Sequence, residues 1–144
     1  MSTPFTQDEI NTFVADWYKL LDVHAPLESY KPLIADNFVL TVPEFTVEGW
    51  EGFKGWYERA IGLFFDEVHE VKSAEIVGTE GDITQVKVVV RWEASRWIPP
   101  AATSDRIIMD AYQTWHLTRS AAGTPAFVKY IVDKAEYAEG SATL

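Results

Sequence analysis

The sequence predicts an α+β fold in which three N-terminal helices pack on a curved, mostly antiparallel sheet that encloses a pocket. Two observations lead to this prediction. Apolar residues recur at helical spacing in the first part of the chain, whereas from about residue 67 onward they alternate with polar residues in long runs. Short turn-forming segments separate these runs, which favours an antiparallel meander because parallel strands need longer crossovers.

The helices are predicted from caps and apolar periodicity. Thr6 and Glu9 form a capping box that begins the first helix. Its apolar face comprises Ile10, Phe13, Val14, Trp17, Tyr18 and Leu21. Pro26 favours the start of a short second helix, which Pro32 shortens or kinks. A third helix with an aromatic stripe follows residues 49–52.

The strands are predicted from β-rich and alternating runs. A short run at residues 38–42 ends at Pro43, and a brief extended piece follows near residues 45–47. Four longer strands are predicted at about residues 67–78, 82–98, 105–119 and 126–138. Within the second of these, the apolar residues from Val86 to Ala94 share one parity and the charged residues share the other. One face of the sheet is therefore expected to be buried and the other exposed to solvent.

Length and composition indicate one domain, residues 1–144, and exclude several functions. The chain has 12 basic and 22 acidic residues, a net charge of −10, and no cysteine. The lack of cysteine excludes disulfides, a thiolate nucleophile and zinc–thiolate sites. The acidity disfavours nucleic acid and membrane surfaces as partners, because like charges repel. Residues 1–5 lack a signal-peptide pattern and no 18 apolar residues run together, so we expect a cytoplasmic protein.

No metal or other cofactor is expected. The three histidines have no ligand-like spacing, and no glycine-rich phosphate loop is present. No Ser-His-Asp order can be argued either.

The order of the elements, the aromatic third helix and the run Leu33-Ile34-Ala35-Asp36-Asn37-Phe38 resemble the nuclear transport factor 2-like superfamily. The run is similar to a helix-to-strand junction common there, and the resemblance covers nearly the whole chain. It implies a cystatin-like cone, in which the bent sheet wraps over the helices. The superfamily includes ketosteroid isomerases, scytalone dehydratases and polyketide cyclases of the SnoaL type, so the resemblance implies a fold more than an activity.

The ketosteroid isomerases of this superfamily provide a first set of expected positions. Aligned on the helix-to-strand junction, Tyr18 falls on the tyrosine that donates to the substrate oxyanion, and Pro43 falls on a proline that follows the base. The base position is Val42, which cannot move a proton but is expected to contact substrate. The assisting acid maps near Gln113, which donates hydrogen bonds without titrating. The resemblance therefore disfavours isomerisation by that mechanism.

The scytalone dehydratases provide a second set. His69 falls near their catalytic histidine, and Gln113 falls on an asparagine that positions substrate. Their second histidine would lie around residues 92–94, where this chain has none. A Tyr-Asp pair of that family maps loosely onto Asp22-Val23, with His24 close by.

His69, Tyr18 and Gln113 are the predicted catalytic residues. His69 would act as base or acid, while Tyr18 and Gln113 would polarise a carbonyl group. Each residue has a plainer interpretation: His69 as a solvated histidine among carboxylates, Tyr18 as a core tyrosine, and Gln113 as an amide satisfied within the core.

Five further residues are predicted to bind substrate beside Val42. Trp92, Trp115 and Tyr130 are expected to face inward and line an apolar pocket, with ordinary core packing as the alternative. Asp22 and His24 are expected to form a carboxylate-oriented imidazole at the pocket mouth. The alternative is a helix end followed by a polar loop residue.

The sequence thus predicts a small-molecule pocket protein, a cofactor-independent lyase or isomerase of dehydratase or cyclase type that acts on a hydrophobic oxygenated ring compound. One alternative is a ligand-binding module without catalysis. Another is an interaction domain that forms a homodimer through the convex sheet face, with Trp97, Ile98, Tyr112 and His116 as the contact patch.

Overall fold

The helices lie in the first half of the chain, as predicted. The computed structural model describes residues 3–144, in which α1 spans Gln7–Asp22 and α2 spans Gly49–Leu63. The predicted second helix is a 3-10 helix at Leu27–Leu33 that contains Pro32. Proline lacks an amide proton and disfavours helical geometry in the residue before it, which explains why this segment is short and tightly wound.

Within residues 3–144, the strands form one mixed sheet of six members. The strands are β1 at Ile34–Thr41, β2 at Thr46–Glu48, β3 at Phe64–Glu80, β4 at Ile83–Arg96, β5 at Asp105–Arg119 and β6 at Pro125–Tyr137. Their order is β2-β1-β6-β5-β4-β3. All neighbours are antiparallel except β1 and β6, which are parallel. The prediction of a mostly antiparallel α+β sheet is confirmed.

The first helix is fixed to the sheet at its N-terminus. Thr6 and Glu9 form the predicted capping box, and both oxygens of the Glu9 carboxylate accept hydrogen bonds from Arg119 of β5 at 2.9 and 3.0 Å. The Arg119 guanidinium lowers the pKa of Glu9 from 4.5 to about 2, with help from the Thr6 amide. This pairing joins the start of α1 to the end of β5.

Aromatic rings fill the space between the helices and the inner face of the sheet, the face that packs against α1 and α2. Trp17 is 1% exposed, and Trp115 and Phe127 are fully buried. The Trp17 ring contacts the rings of Tyr30, Phe53, Phe127 and Tyr130 at centroid distances of 4.6 to 6.1 Å. The pocket predicted inside the cone is therefore not found in that form within residues 3–144, because these rings occupy the space.

The outer face of the sheet carries charged pairs, as the parity of β4 predicts. Arg91 of β4 donates to Asp110 of β5 at 3.0 Å, and Lys87 donates to Thr114 at 2.6 Å. The Arg91 guanidinium lowers the pKa of Asp110. The convex face is thus largely polar.

The four residues predicted as a dimer patch do not lie together. Trp97 and Ile98 follow the end of β4, where Arg96 pairs with Asp105, whereas His116 pairs with Gln85. Eleven positions separate Gln85 from Arg96 along β4, which is roughly 35 Å at about 3.3 Å per residue. The four residues are thus spread along the length of β4 and β5, with Tyr112 opposite Val89 between the two ends. The contact patch and the homodimer both stay predictions.

No helix within residues 3–144 is long and apolar enough to cross a membrane. Met1 and Ser2, the first residues of the segment predicted to lack a signal-peptide pattern, lie outside the described residues.

Candidate active site

The C-terminal end of α1 presents three polar side chains towards β3. Tyr18 and Asp22 are four residues apart, so they lie on one helix face. The helix ends at Asp22, and His24 follows in a left-handed backbone conformation with φ of 50°. Few residues other than glycine adopt this conformation, and here it turns the chain so that the His24 side chain also reaches β3.

The facing part of β3 contributes Glu67 and His69. The ladder with β4 shifts between Phe65 and Val68, and Asp66 in this irregular stretch has φ of 51°. After it, Glu67 and His69 are two residues apart and lie on the same face of the strand. Both side chains therefore meet the end of α1.

Asp22 and His69 form a hydrogen-bonded pair. Asp22 Oδ1 lies 2.5 Å from His69 Nδ1, and Asp22 Oδ2 accepts the backbone N–H of His69 at 3.1 Å. Because an ionised carboxylate only accepts, the pair favours a proton on Nδ1 and leaves the second ring nitrogen, Nε2, without a protein partner within the described part of the chain. The His69 side chain is 10% exposed and that of Asp22 is 26% exposed, so the pair is accessible from solvent.

Two aromatic rings hold the His69 imidazole in place. The Tyr18 ring stacks on it at 4.6 Å between centroids with an angle of 19°, and the Trp92 ring lies at 6.4 Å with an angle of 30°. The imidazole is thus oriented by Asp22 within its plane and by aromatic contacts on its faces.

His24 pairs with Glu67 rather than with Asp22. His24 Nε2 lies 2.5 Å from Glu67 Oε2, and Trp92 Nε1 donates to Glu67 Oε1 at 3.0 Å. The predicted Asp22–His24 pair is therefore wrong, because the helix end aims both side chains at β3 instead of at each other. Glu67 is a site residue that was not predicted from the sequence. Its shared parity with His69 is the signal that could have indicated it.

Tyr18 and Gln113 form a second, deeper group with Trp115. The Tyr18 hydroxyl donates to Gln113 Oε1 at 2.9 Å, and Trp115 Nε1 donates to the same oxygen at 2.8 Å. Burial raises the pKa of Tyr18 well above its ordinary value, and the neighbouring Tyr130 raises it further. The Tyr18 hydroxyl is therefore protonated and already engaged within the protein.

The remaining predicted residues lie in or beside the core. Trp115 and Tyr130 stack at 5.6 Å inside the main core. Val42 packs at the edge of this core, just after β1, and its amide donates to Phe45 at 2.9 Å. Because β1 lies four places from β3 in the sheet, Val42 does not join His69.

A groove lies in the seam between α1 and β3. Its volume is about 170 Å³, and it is lined by Asn11, Val14, Ala15, Val71 and Ala74. Val14 is one helical turn before Tyr18, and Val71 is two residues after His69, so the groove lies on the side of the Asp22–His69 pair towards the start of α1, and the pair is not part of its lining. Within residues 3–144, no three histidine, aspartate or glutamate side chains converge as metal ligands.

Comparison with known proteins identifies the fold. Searches with family models and of curated protein sequences found no match. A solved hexachlorocyclohexane dehydrochlorinase (LinA, type 2) is similar, with a TM-score of 0.74 and 14% identity over 96% of this chain and 92% of that one. A ketosteroid isomerase-like protein from Erwinia carotovora matches with a TM-score of 0.67 and 17% identity over 92% of this chain and 98% of that one.

A third structure, a protein with a cystatin-like fold from Nostoc punctiforme, matches with a TM-score of 0.72 and 15% identity over 99% of this chain and 98% of that one. The chain therefore has a cystatin-like fold, as its sequence predicts. Identities this low establish the fold alone, and activity has to be argued from the site.

Proposed function

We propose that this protein is a cofactor-independent lyase or isomerase in which His69, held by Asp22, removes a proton from carbon of a hydrophobic, oxygenated ring compound. The observation that carries the proposal is the double contact of Asp22 with the side chain and backbone of His69. A histidine oriented by a carboxylate is a suitable general base near neutral pH.

The proton transfer follows from the orientation of the imidazole. Asp22 accepts from Nδ1–H, so the lone pair of Nε2 takes the substrate proton. The imidazolium that forms is stabilised by the Asp22 carboxylate, and the Tyr18 ring keeps the imidazole plane in position. General-base catalysis of this kind contributes about 10²–10⁴-fold in rate.

The volume and lining of the groove between α1 and β3 suit a small substrate. Its volume of about 170 Å³ is close to the roughly 150 Å³ of an apolar cavity that holds benzene, so one six-membered ring fits. Val14, Ala15 and Val71 supply apolar contacts, and Asn11, whose Oδ1 accepts from Gln7 Nε2 at 2.8 Å, offers its NH₂ group as a donor to an oxygen substituent. The names of the similar structures, a dehydrochlorinase of a cyclohexane and a ketosteroid isomerase-like protein, agree with ring compounds as substrates.

In this proposal Tyr18 and Gln113 position the base instead of polarising a substrate carbonyl. The sequence predicts them as carbonyl-polarising donors, but the Tyr18 hydroxyl donates to Gln113 Oε1, and Gln113 is buried in the core beside Trp115. Tyr18 acts through the stacking of its ring on His69. Gln113 acts by holding Tyr18.

Deuterium exchange tests the proposal without knowledge of the natural substrate. The probes are cyclohexanone and its 2- and 3-substituted derivatives in D₂O, with α-deuterium incorporation followed by mass spectrometry. We expect the protein to accelerate exchange of at least one probe and His69→Gln to reduce that acceleration about 100-fold. His116→Gln, on the outer sheet face, is the matched control. Equal exchange by the two variants would contradict the proposal.

A second candidate function is ligand binding without catalysis. The lining of the groove favours it, because none of the five residues that line the groove can transfer a proton. In that case a ring compound would bind in the groove and be recovered chemically unchanged, without deuterium, after long incubation.

A further inference from the structure

The first helix runs along the free edge of β3. β3 is the last strand of the sheet, so one of its edges has no neighbouring strand within residues 3–144. Asp22, at the end of α1, contacts His69, and Gln7, at its start, contacts Ile76. The helix from residue 7 to residue 22 and the strand from residue 69 to residue 76 both cover roughly 23 Å, at about 1.5 and 3.3 Å per residue. Helix and edge therefore match in length.

The side chains at the two ends of α1 take the place of a neighbouring strand. Gln7 Oε1 accepts the backbone N–H of Ile76 at 3.2 Å, and Gln7 Nε2 donates to the Ala74 carbonyl at 2.7 Å. One amide thus pairs with both a donor and an acceptor of the edge, as the backbone of a strand would. At the other end, Asp22 Oδ2 accepts the backbone N–H of His69 at 3.1 Å.

The middle of the same edge has no such partner. Backbone groups of successive strand residues point to opposite sides, so His69 and Val71, two residues apart, point theirs the same way. Because the His69 N–H goes to Asp22, the Val71 N–H and C=O also point away from β4. No side chain within residues 3–144 hydrogen-bonds to these two groups. Val14 and Ala15, which line the groove with Val71, have apolar side chains.

We propose that the groove binds a lactam, a ring that contains a cis-amide, whose C=O accepts from the Val71 N–H and whose N–H donates to the Val71 C=O. A lactam presents its acceptor and its donor side by side, as the Gln7 amide does where it binds the same strand. The carbon atoms of the ring lie against Val14 and Ala15. This inference goes beyond the proposed function, because it concerns binding and holds whether or not His69 moves a proton.

The edge favours a single ring over an added peptide strand. Gln7 and Asp22 occupy the edge on either side of the groove, and the volume of about 170 Å³ between them suits one six-membered ring. The ladder with β4 also shifts between Val71 and Ser73, where Lys72 is exposed. Bulges and lysines are features by which natural edge strands resist pairing with another strand.

Three six-membered rings of similar size test the two hydrogen bonds. 2-Piperidone has the donor and the acceptor, δ-valerolactone has an oxygen in place of the N–H, and cyclohexanone has the acceptor alone. Dissociation constants are measured on the wild-type protein by ¹H–¹⁵N NMR titration with assigned backbone amides. We expect 2-piperidone to bind about tenfold more tightly than either analogue and to shift the Val71 amide proton. Equal dissociation constants, or no binding of 2-piperidone, would overturn the inference.

Val71→Pro removes the backbone donor itself. Proline is found in edge strands where the N–H would point away from the sheet, which is the case here. Val71→Ala is the control, because it keeps the N–H and shortens the side chain. We expect 2-piperidone to bind about tenfold more weakly to Val71→Pro than to Val71→Ala. Equal affinities would overturn the inference. If Val71→Pro does not fold, the comparison of the three rings on the wild type still decides.

A capped Thr-Val-Thr tripeptide tests the other occupant of a strand edge. We expect it to bind at least tenfold more weakly than 2-piperidone, because Gln7 and Asp22 block an extended chain. Tighter binding of the peptide would overturn the inference in favour of strand addition.

Substitution of the groove lining locates the lactam. Ala15→Trp, which fills the groove, should remove the binding of 2-piperidone. Thr12→Trp, at an exposed position of α1 outside the groove lining, should leave its dissociation constant within twofold of the wild type. Unchanged binding in Ala15→Trp would show that the lactam binds elsewhere and would overturn the inference.

Discussion

Asp22 contacts His69 at two points, with Oδ1 2.5 Å from Nδ1 of the ring and Oδ2 accepting the backbone N–H at 3.1 Å. One carboxylate therefore fixes both the strand and the imidazole that the strand carries. A helix-end residue and a strand residue separated by 47 positions in sequence are joined into one unit.

Asp22→Asn tests the importance of the carboxylate charge. We expect the rate constant for α-deuterium exchange to fall about 100-fold, because an amide cannot stabilise the imidazolium and its NH₂ group favours the wrong tautomer. Exchange of cyclohexanone is measured by mass spectrometry over a range of probe concentrations. Asp16→Asn, an exposed residue of the same helix, is the control. Equal rates for the two variants would show that Asp22 serves only the fold.

Tyr18→Phe separates a stacking role from a proton-donating role. The ring remains stacked on His69, and Gln113 Oε1 keeps its hydrogen bond from Trp115, so we expect the turnover rate for exchange to stay within about threefold of the wild type. The lost hydrogen bond should lower the free energy of unfolding by about 1 kcal/mol, measured by urea denaturation. If turnover instead falls by about two orders of magnitude, the donor role predicted from the sequence is supported.

Ala15→Trp tests whether substrate uses the groove. Ala15 is exposed and lines the groove, so an indole at this position should occupy the space without disturbing the core. We expect KM for the ring probe to rise roughly tenfold, equivalent to about 1.4 kcal/mol, with little change in turnover at saturation. Thr12→Trp places the same side chain on an exposed position of α1 that does not line the groove. If both variants have the wild-type KM, the substrate binds elsewhere.

Acid titration tests the ion pair that joins α1 to β5. The folded-state pKa of Glu9 is lowered from 4.5 to about 2, chiefly by Arg119, so the unfolded chain binds more protons between these values. The stabilisation from Glu9 is fully present above pH 4.5 and is lost as the pH falls towards 2. We expect the difference in free energy of unfolding between wild type and Glu9→Gln to shrink across that window. The two free energies of unfolding are measured by urea denaturation at each pH. If their difference is the same at neutral pH and at the acid end of the window, the pairing of Glu9 with Arg119 is contradicted.

Local patterns predict most of the elements. The capping box at Thr6 and Glu9 marks the start of α1 because it depends only on residues three apart, and the alternation in β4 predicts which side chains are buried. Two other relationships depend on how distant parts of the chain align. They are the parallel pairing of β1 with β6 and the contact of Asp22 with His69. No local spacing encodes these relationships.

The site could be predicted only in part for the same reason. Glu67 shares its parity with His69, but its partners His24 and Trp92 lie 43 and 25 positions away in sequence, so alternation alone does not show that it joins the site. Val42 is expected near substrate from alignment alone, whereas the strand order separates it from His69 by the width of the sheet. Trp115 and Tyr130 face inward as predicted by parity, but only the packing of the other rings shows that the interior is full.

The position of the proton on His69 can be measured directly by long-range ¹H–¹⁵N NMR of the imidazole rings at alkaline pH. The chain has three histidines, so His24→Gln and His116→Gln complete the assignment. We predict that neutral His69 carries its proton on Nδ1 in the wild type and loses this preference in Asp22→Asn. If neutral His69 of the wild type carries its proton on Nε2, its lone pair lies on Nδ1, which faces Asp22 and not the substrate. This result would contradict the proposed role of His69 as the base.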